Sequence, residues 1–327
     1  MSDPLSVTSA DIEAAANVLA PFAVRTPLLS SPAIDARCEA RVFFKAEPLQ
    51  RTGSFKFRGA FNMMSAIPAA RRAAGVVAFS SGNHAQGVAA AAQLLGMPAT
   101  IVMPSDAPLS KRERTAAYGA EVVLYDRWRE DREAIASEIA GRRQATIVPP
   151  YDDPMIIAGQ GTAAREFCVD LAALGLTPDI VVAPASGGGL MAGTAVATKA
   201  RFPSATLVTA EPEGFDDHAR SLRSGHREPH RAVGTTICDA LMATIPGEIT
   251  FAINQALVSS GVTATDAEVG LAVAVAFRDL KLVVEPGGAV ALAALLAGRV
   301  AARGKTIVVM LSGGNVDAPL YARLITA

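Results

Sequence analysis

Between residues 76 and 148 the chain alternates short apolar runs with alanine-rich stretches of helix length, and this alternation constrains the fold more than any other feature. Runs at 76–79, 100–103, 121–125 and 146–148 have the length of strands, and the intervening 85–95, 109–118 and 129–140 have the length of helices. Strands that are apolar on both faces and separated by helices predict a parallel sheet covered on both sides. Pro149-Pro150-Tyr151-Asp152-Asp153-Pro154 breaks the rhythm and reads as a chain crossing between two bodies. After it the pattern resumes, with helix 156–174, strand 179–183, helix 190–201, strand 206–210, a polar segment at 213–231, helices near 267–281 and 289–302, and strand 306–311. Ahead of it, Thr8 to Asp11 reads as a capping box for a helix through Leu19. Residues 42–45 read as a strand that turns into a helix from about Phe57.

Composition narrows the function classes. With 327 residues, half of them hydrophobic, the chain can bury a large core, and a net charge of -1 leaves no basic stripe for nucleic acid. The apolar runs are too short and too interrupted to span a bilayer, so no membrane partner is expected. Three widely spaced cysteines, Cys38, Cys168 and Cys238, form neither a metal pattern nor a disulfide framework. A reducing cytoplasm is the expected location, and no export segment opens the chain.

Chemistry concentrates in two stretches. In Thr52-Gly53-Ser54-Phe55-Lys56-Phe57, a lysine sits between two aromatics behind a tight turn. Burial there favours the neutral amine, which is a nucleophile. Ser186-Gly187-Gly188-Gly189-Leu190 follows an apolar strand and opens a helix, so its N–H groups can converge on a dianion such as phosphate. A dinucleotide site is the rival reading of that loop, but the G-x-G-x-x-G spacing is not met.

Five further stretches complete the pattern: Ser80-Ser81-Gly82-Asn83-His84-Ala85-Gln86-Gly87, Ala158-Gly159-Gln160-Gly161-Thr162, Glu211-Pro212, Glu285-Pro286-Gly287-Gly288 and Ser312-Gly313-Gly314-Asn315. Together with the lysine and glycine stretches, in this order, they resemble the fold-type II family of pyridoxal phosphate (PLP) enzymes, nearest to threonine/serine dehydratases and serine racemase. The resemblance covers nearly the whole chain. It implies a tryptophan synthase β-like α/β fold of two domains, each a mostly parallel sheet covered by helices. The large PLP-binding domain would comprise 1–70 and 151–327, with a small domain, 71–150, inserted between them.

The resemblance also implies roles. Lys56 would carry PLP beside Phe55, with the phosphate on Ser186, Gly187, Gly188, Gly189 and Leu190. Asn83 would meet the cofactor's phenolic oxygen, Ser312 its pyridine nitrogen, and Glu285 would line the ring. Ser80, Ser81, Gly82, Asn83 and His84 would bind the substrate carboxylate, and Arg132 would close over it. His84 is expected to pack rather than transfer protons. Ser81, a serine in racemase-like members where dehydratases commonly have alanine, is a candidate second catalytic acid and equally an ordinary helix cap. Glu211, Phe215 and Asp217 align with a Mg²⁺ or Ca²⁺ site, and a solvated acidic turn is the plain alternative. Ser186 and Ala240 replace glycines usual in the family.

The implied reaction is β-elimination of a 3-hydroxy amino acid, L-threonine or L-serine, to a 2-oxo acid and ammonia. Serine racemisation and 3-hydroxyaspartate dehydration or racemisation are the alternatives, and a non-catalytic PLP-binding protein is the rival from another class. The expected partners are a small amino-acid substrate and a second copy in a homodimer.

Overall fold

The computed structural model describes residues 5–80, 82–107, 109–230 and 234–326. Ten strands appear there: β1 (Leu28–Ser30), β2 (Arg41–Ala46), β3 (Val76–Phe79), β4 (Ala99–Pro104), β5 (Glu121–Tyr125), β6 (Thr146–Ile147), β7 (Ile180–Pro184), β8 (Thr206–Pro212), β9 (Ser260–Ala264) and β10 (Thr306–Leu311). They form two sheets, one ordered β1-β2-β10-β7-β8-β9 and the other β5-β4-β3-β6. Every pairing is parallel except β1 with β2. The chain is thus an α/β protein with two mostly parallel sheets.

Strand periodicity divides the large sheet's surroundings. Ile307, Val309 and Leu311 of β10 join the core formed with helices Asp266–Val275 and Pro286–Leu296, whereas Val308 and Met310 join the core with helices Pro154–Ala173 and Gly189–Arg201. Both faces are apolar, as a doubly covered parallel sheet requires. The smaller sheet has its own cores, one of which takes in Phe57, Ala60, Phe61 and Met64 of helix Lys56–Ser65. Helix Pro154–Ala173 packs directly on that helix. A Cβ at Gly159 would lie 2.6 Å from the Arg58 carbonyl oxygen, so only glycine permits the approach.

Several elements depart from the expected bounds, each for a visible cause. The helix expected at 129–140 begins at Arg132, because the Asp131 carboxylate accepts the N–H groups of Glu133 and Ala134 at 2.8 and 3.3 Å. The helix expected to reach 302 ends at Leu296, closed by Gly298 at φ 71°. The polar segment 213–231 contains a helix, Asp217–Ser224, whose first-turn N–H groups bind the Glu211 carboxylate. That cap comes from a strand end rather than from the residue before the helix, so local sequence does not announce it. Among the described residues no helix is long and apolar enough to cross a membrane, and the three cysteines are free.

Candidate active site

The large sheet's order brings together three segments that are far apart in sequence. β2, β10 and β7 are adjacent and parallel. The segment holding Lys56 follows β2, Ser312 follows β10, and Ser186–Gly189 follows β7, so all three leave from the carboxyl edge of neighbouring strands, where open α/β sheets bind ligands. Backbone bonds fasten the first two: Phe55 N–H donates to Ser312 O at 3.1 Å, and Gly314 N–H to Gly53 O at 2.9 Å.

Lys56 is the first residue of helix Lys56–Ser65. Its Nζ donates to the Pro150 carbonyl at 2.5 Å and lies 5.1 Å from the Phe55 ring centroid and 6.0 Å from that of Tyr151. The residue keeps part of its surface accessible, yet enough protein surrounds the amine for burial to push its pKa down to about 7. The side chain is therefore poised between ammonium and free amine at neutral pH.

Tyr151 also touches the glycine loop, since a Cβ on Gly187 would fall 2.2 Å from its Cδ1. Gly188 adopts φ 96° and begins helix Gly189–Arg201 with no side-chain cap, leaving the first-turn N–H groups to an outside acceptor. Leu190 is buried behind it in the core. The Ser186 hydroxyl accepts from Ala243 N–H at 3.0 Å, tying this loop to the segment ahead of helix Glu248–Leu257. Thr250 Oγ1 donates to Gly187 O at 2.6 Å, and Asn254 Nδ2 to Gly188 O at 3.3 Å. An uncapped helix start lined by glycine, beside a buried amine, fits the phosphate and aldehyde of PLP.

A chain of side chains carries the site across to the smaller sheet. Asn315 Nδ2 donates to Thr52 O and Asn83 Oδ1, both at 2.7 Å, and Asn83 Nδ2 donates to Glu285 Oε1 at 2.6 Å. Glu285 is buried, and burial followed by the Asp239 charge pushes its pKa up to about 7. Lys111, itself buried, pairs with Asp239. Gly82 precedes helix Asn83–Leu95 and its N–H donates to Ser80 Oγ at 3.3 Å. The His84 ring meets the Val148 carbonyl at 2.9 Å, and burial, then the Lys56 charge, push its pKa down to about 3. Ser81 lies outside the described residues. Arg132 is exposed, with its guanidinium carbon 5.5 Å from the ring centroid of Phe79, the last residue of β3.

Glu211 and Asp217 stand apart from this group. Both are fully buried. Burial, then the Asp217 charge, push Glu211 well above the ordinary carboxylate range, while burial pushes Asp217 up to about 7. Neither carboxylate oxygen of Asp217 has a hydrogen-bond partner. Two carboxylates under that electrostatic load suit a hard cation, although among the described residues no cluster of three or more His, Cys, Asp or Glu side chains is arranged around one point. Phe215 is buried nearby, its ring 5.2 Å from that of His230.

Residues the motifs alone did not single out also shape the site. Asp152, at the chain crossing, accepts the N–H groups of Glu248, Ile249 and Thr250 at 2.8, 2.9 and 3.1 Å, and so holds the helix that supports the glycine loop. It is joined by Gln160 of the Ala158–Thr162 motif, whose Nε2 donates to Pro150 O at 3.4 Å. An aspartate shortly before a proline-started helix marks a cap, but which helix it caps is decided by the fold.

A family model described as pyridoxal-phosphate dependent enzyme matches residues 19–313. The chain belongs to this family. PLP is accordingly its cofactor. The chain is 46% identical to an L-threo-3-hydroxyaspartate ammonia-lyase of Pseudomonas sp, over 96% of this chain and 97% of that one. It is 40% identical to a serine racemase of Schizosaccharomyces pombe over the full length of both. The solved structure of a maize serine racemase superposes with a TM-score of 0.92 at 36% identity, covering 98% of this PLP enzyme and 97% of the other.

Proposed function

We propose that this PLP enzyme is an ammonia-lyase that converts a 3-hydroxy amino acid to a 2-oxo acid and ammonia, the water lost by β-elimination being returned on hydrolysis, with 3-hydroxyaspartate the favoured substrate. The observation that carries the reading is Lys56, a half-free amine that shares Tyr151 with the glycine loop. In this reading Lys56 holds the cofactor's aldehyde carbon, the N–H groups of 187–190 hold its phosphate, and Ser312 and Glu285 flank its ring. When bound, PLP supplies the electron sink that weakens the Cα–H bond of the substrate. Ser312 would offer that ring a neutral hydroxyl rather than a carboxylate, which makes the sink weaker and favours loss of the β-hydroxyl over transamination.

Once the substrate's amine has displaced it from the aldehyde carbon, Lys56 would be the base that takes the Cα proton, because its lowered pKa leaves the free amine partly unprotonated at neutral pH while still basic. The N–H groups at the start of helix Asn83–Leu95 receive the substrate's α-carboxylate. Arg132, whose guanidinium lies over Phe79 at the carboxyl end of β3, would pair with a second carboxylate, which 3-hydroxyaspartate has and threonine lacks. His84, neutral and bonded to Val148, orients the turn. The Glu211 and Asp217 carboxylates, with the Phe215 carbonyl, would hold Mg²⁺ or Ca²⁺. Two domains, 1–70 with 151–327 and 71–150, would close on the substrate, in keeping with the separate sheets. A homodimer is the assembly we expect.

The test is a panel of L- and D-serine, L-threonine, and threo and erythro 3-hydroxyaspartate, scored for 2-oxo acid, ammonia and enantiomer, with and without Mg²⁺. Ammonia release with the highest kcat/KM on a 3-hydroxyaspartate isomer is expected. A yellow protein that releases none from any member of the panel would be a PLP binder without this activity. The full-length identity to a serine racemase favours racemisation as a second activity, which the enantiomer assay reads directly.

A further inference from the structure

His218 lies between the buried acidic pair and the glycine loop. Its backbone N–H donates to Glu211 Oε1 at 2.8 Å, and the next N–H, of Ala219, donates to Glu211 Oε2 at 2.8 Å. The first turn of helix Asp217–Ser224 is thus clamped onto the Glu211 carboxylate. The imidazole of the same residue backs the glycine loop: a Cβ on Gly188 would meet its Cε1 and Nε2, each at 2.7 Å.

The ring is wholly buried and neither nitrogen has a hydrogen-bond partner. The Ser186 backbone, at the head of the glycine loop, is the polar group that faces the ring, and it offsets part of the burial. Both oxygens of the preceding Asp217 are likewise unpartnered. Buried polar atoms left unpaired are costly, and a run of them in adjacent residues marks a place completed by something further. For two buried carboxylates that something is a hard cation.

Cation binding would draw Glu211 and Asp217 into one coordination shell. His218 cannot stay indifferent, because it follows Asp217 in the chain and hangs on Glu211 by its N–H. Any shift reaches Gly188, whose φ of 96° sets the aim of the loop's N–H groups. From the other side that loop is fixed by Thr250 and Asn254. The face backed by His218 is the one that leads to the carboxylates.

We propose that His218 is a positioning residue that couples cation binding at Glu211 and Asp217 to the grip of the Gly187–Gly189 loop on the cofactor phosphate. The inference rests on the cation and phosphate assignments of the proposed function. By thermodynamic reciprocity, PLP must raise cation affinity by the factor through which the cation raises PLP affinity.

The experiment uses the full chain, stripped of cofactor, and reads binding rather than turnover. PLP is titrated by absorbance in EDTA and in saturating MgCl₂ or CaCl₂, and cation affinity is measured separately by calorimetry. Wild type should bind PLP about 5- to 10-fold more tightly with the cation present. His218→Ala should still bind the cation, yet its PLP affinity should move by less than about twofold on adding it. His218→Gln, which keeps volume and a donor, should recover part of the coupling and decides the matter if the alanine variant does not fold. Full coupling retained in a folded variant overturns the role of His218 and leaves the cation site standing. Absence of cation binding to wild type overturns both the coupling and the cation reading.

Discussion

Arg58 and Glu47 face each other with almost no exposed surface, Nε to Oε2 at 2.8 Å and Nη2 to Oε1 at 2.9 Å. Arg58 also binds both oxygens of Glu166, and Glu166 pairs with the buried Lys45. Two cations and two carboxylates thus lock the first turn of the Lys56 helix between β2 and helix Pro154–Ala173. Glu47→Gln would strand a net positive charge in the interior, and a stability loss on the order of 3–5 kcal/mol is expected in chemical denaturation. Burial alone would raise the Glu47 carboxyl, but the Arg58 charge and hydrogen bonds, aided by Lys45 and Thr26, hold it below 4.5. Its contribution is therefore complete above 4.5 and lost as the pH falls through the lower folded value. A wild type and Glu47→Gln pair that denature in acid over the same range would count against this network.

Lys56 in the cofactor-free protein should react with an amine-specific reagent along a pH curve centred near 7, far below the ordinary lysine value of 10.5. Because the unfolded chain keeps that proton up to 10.5, stability should rise with pH between the two values from this residue. A midpoint above about 9, read by peptide mass spectrometry, would place the amine in ordinary solvent.

Gly187→Ala would drive a methyl into the Tyr151 ring, 2.2 Å from Cδ1. The loop must then move off its aim, and PLP affinity should fall by at least about tenfold with global stability changed far less. Equal affinity in the variant and wild type would show that the loop does not grip the cofactor.

Asn83→Ala removes the hydrogen bond that partly offsets the burial of Glu285. The Glu285 pKa, already about 7, should climb further, and the pH profile of kcat/KM should move to higher pH. A raised folded pKa means that Glu285 supports the fold fully below 4.5, and that this support fades as the pH rises through about 7. Lys111→Met should shift the profile in the same direction, because its cation also lowers Glu285. An unmoved profile in both variants would remove Glu285 from the titrating groups.

Much of this could be read in the residues themselves. Apolar runs such as Val76-Val77-Ala78-Phe79 announced parallel strands, and the order of the glycine and lysine motifs announced the family. Contacts between distant segments were not legible. Nothing in the residues around Glu211 says that its carboxylate caps the helix at Asp217–Ser224, and nothing near Asp152 says that it holds the start of Glu248–Leu257. Asn315 sat in a recognised motif, but its bond to Asn83 depends on two sheets meeting. Local chemistry gives elements and motifs, whereas caps and networks made across sheets exist only once the chain has folded.

The central claim concerns one amine and is tested by borohydride reduction of the PLP-loaded enzyme followed by peptide mass spectrometry. The cofactor's mass should appear on the peptide containing Lys56, and Lys56→Ala should lose both that label and ammonia release from 3-hydroxyaspartate. Label on Lys45 or Lys111 instead, or sustained ammonia release from the alanine variant, would contradict the account.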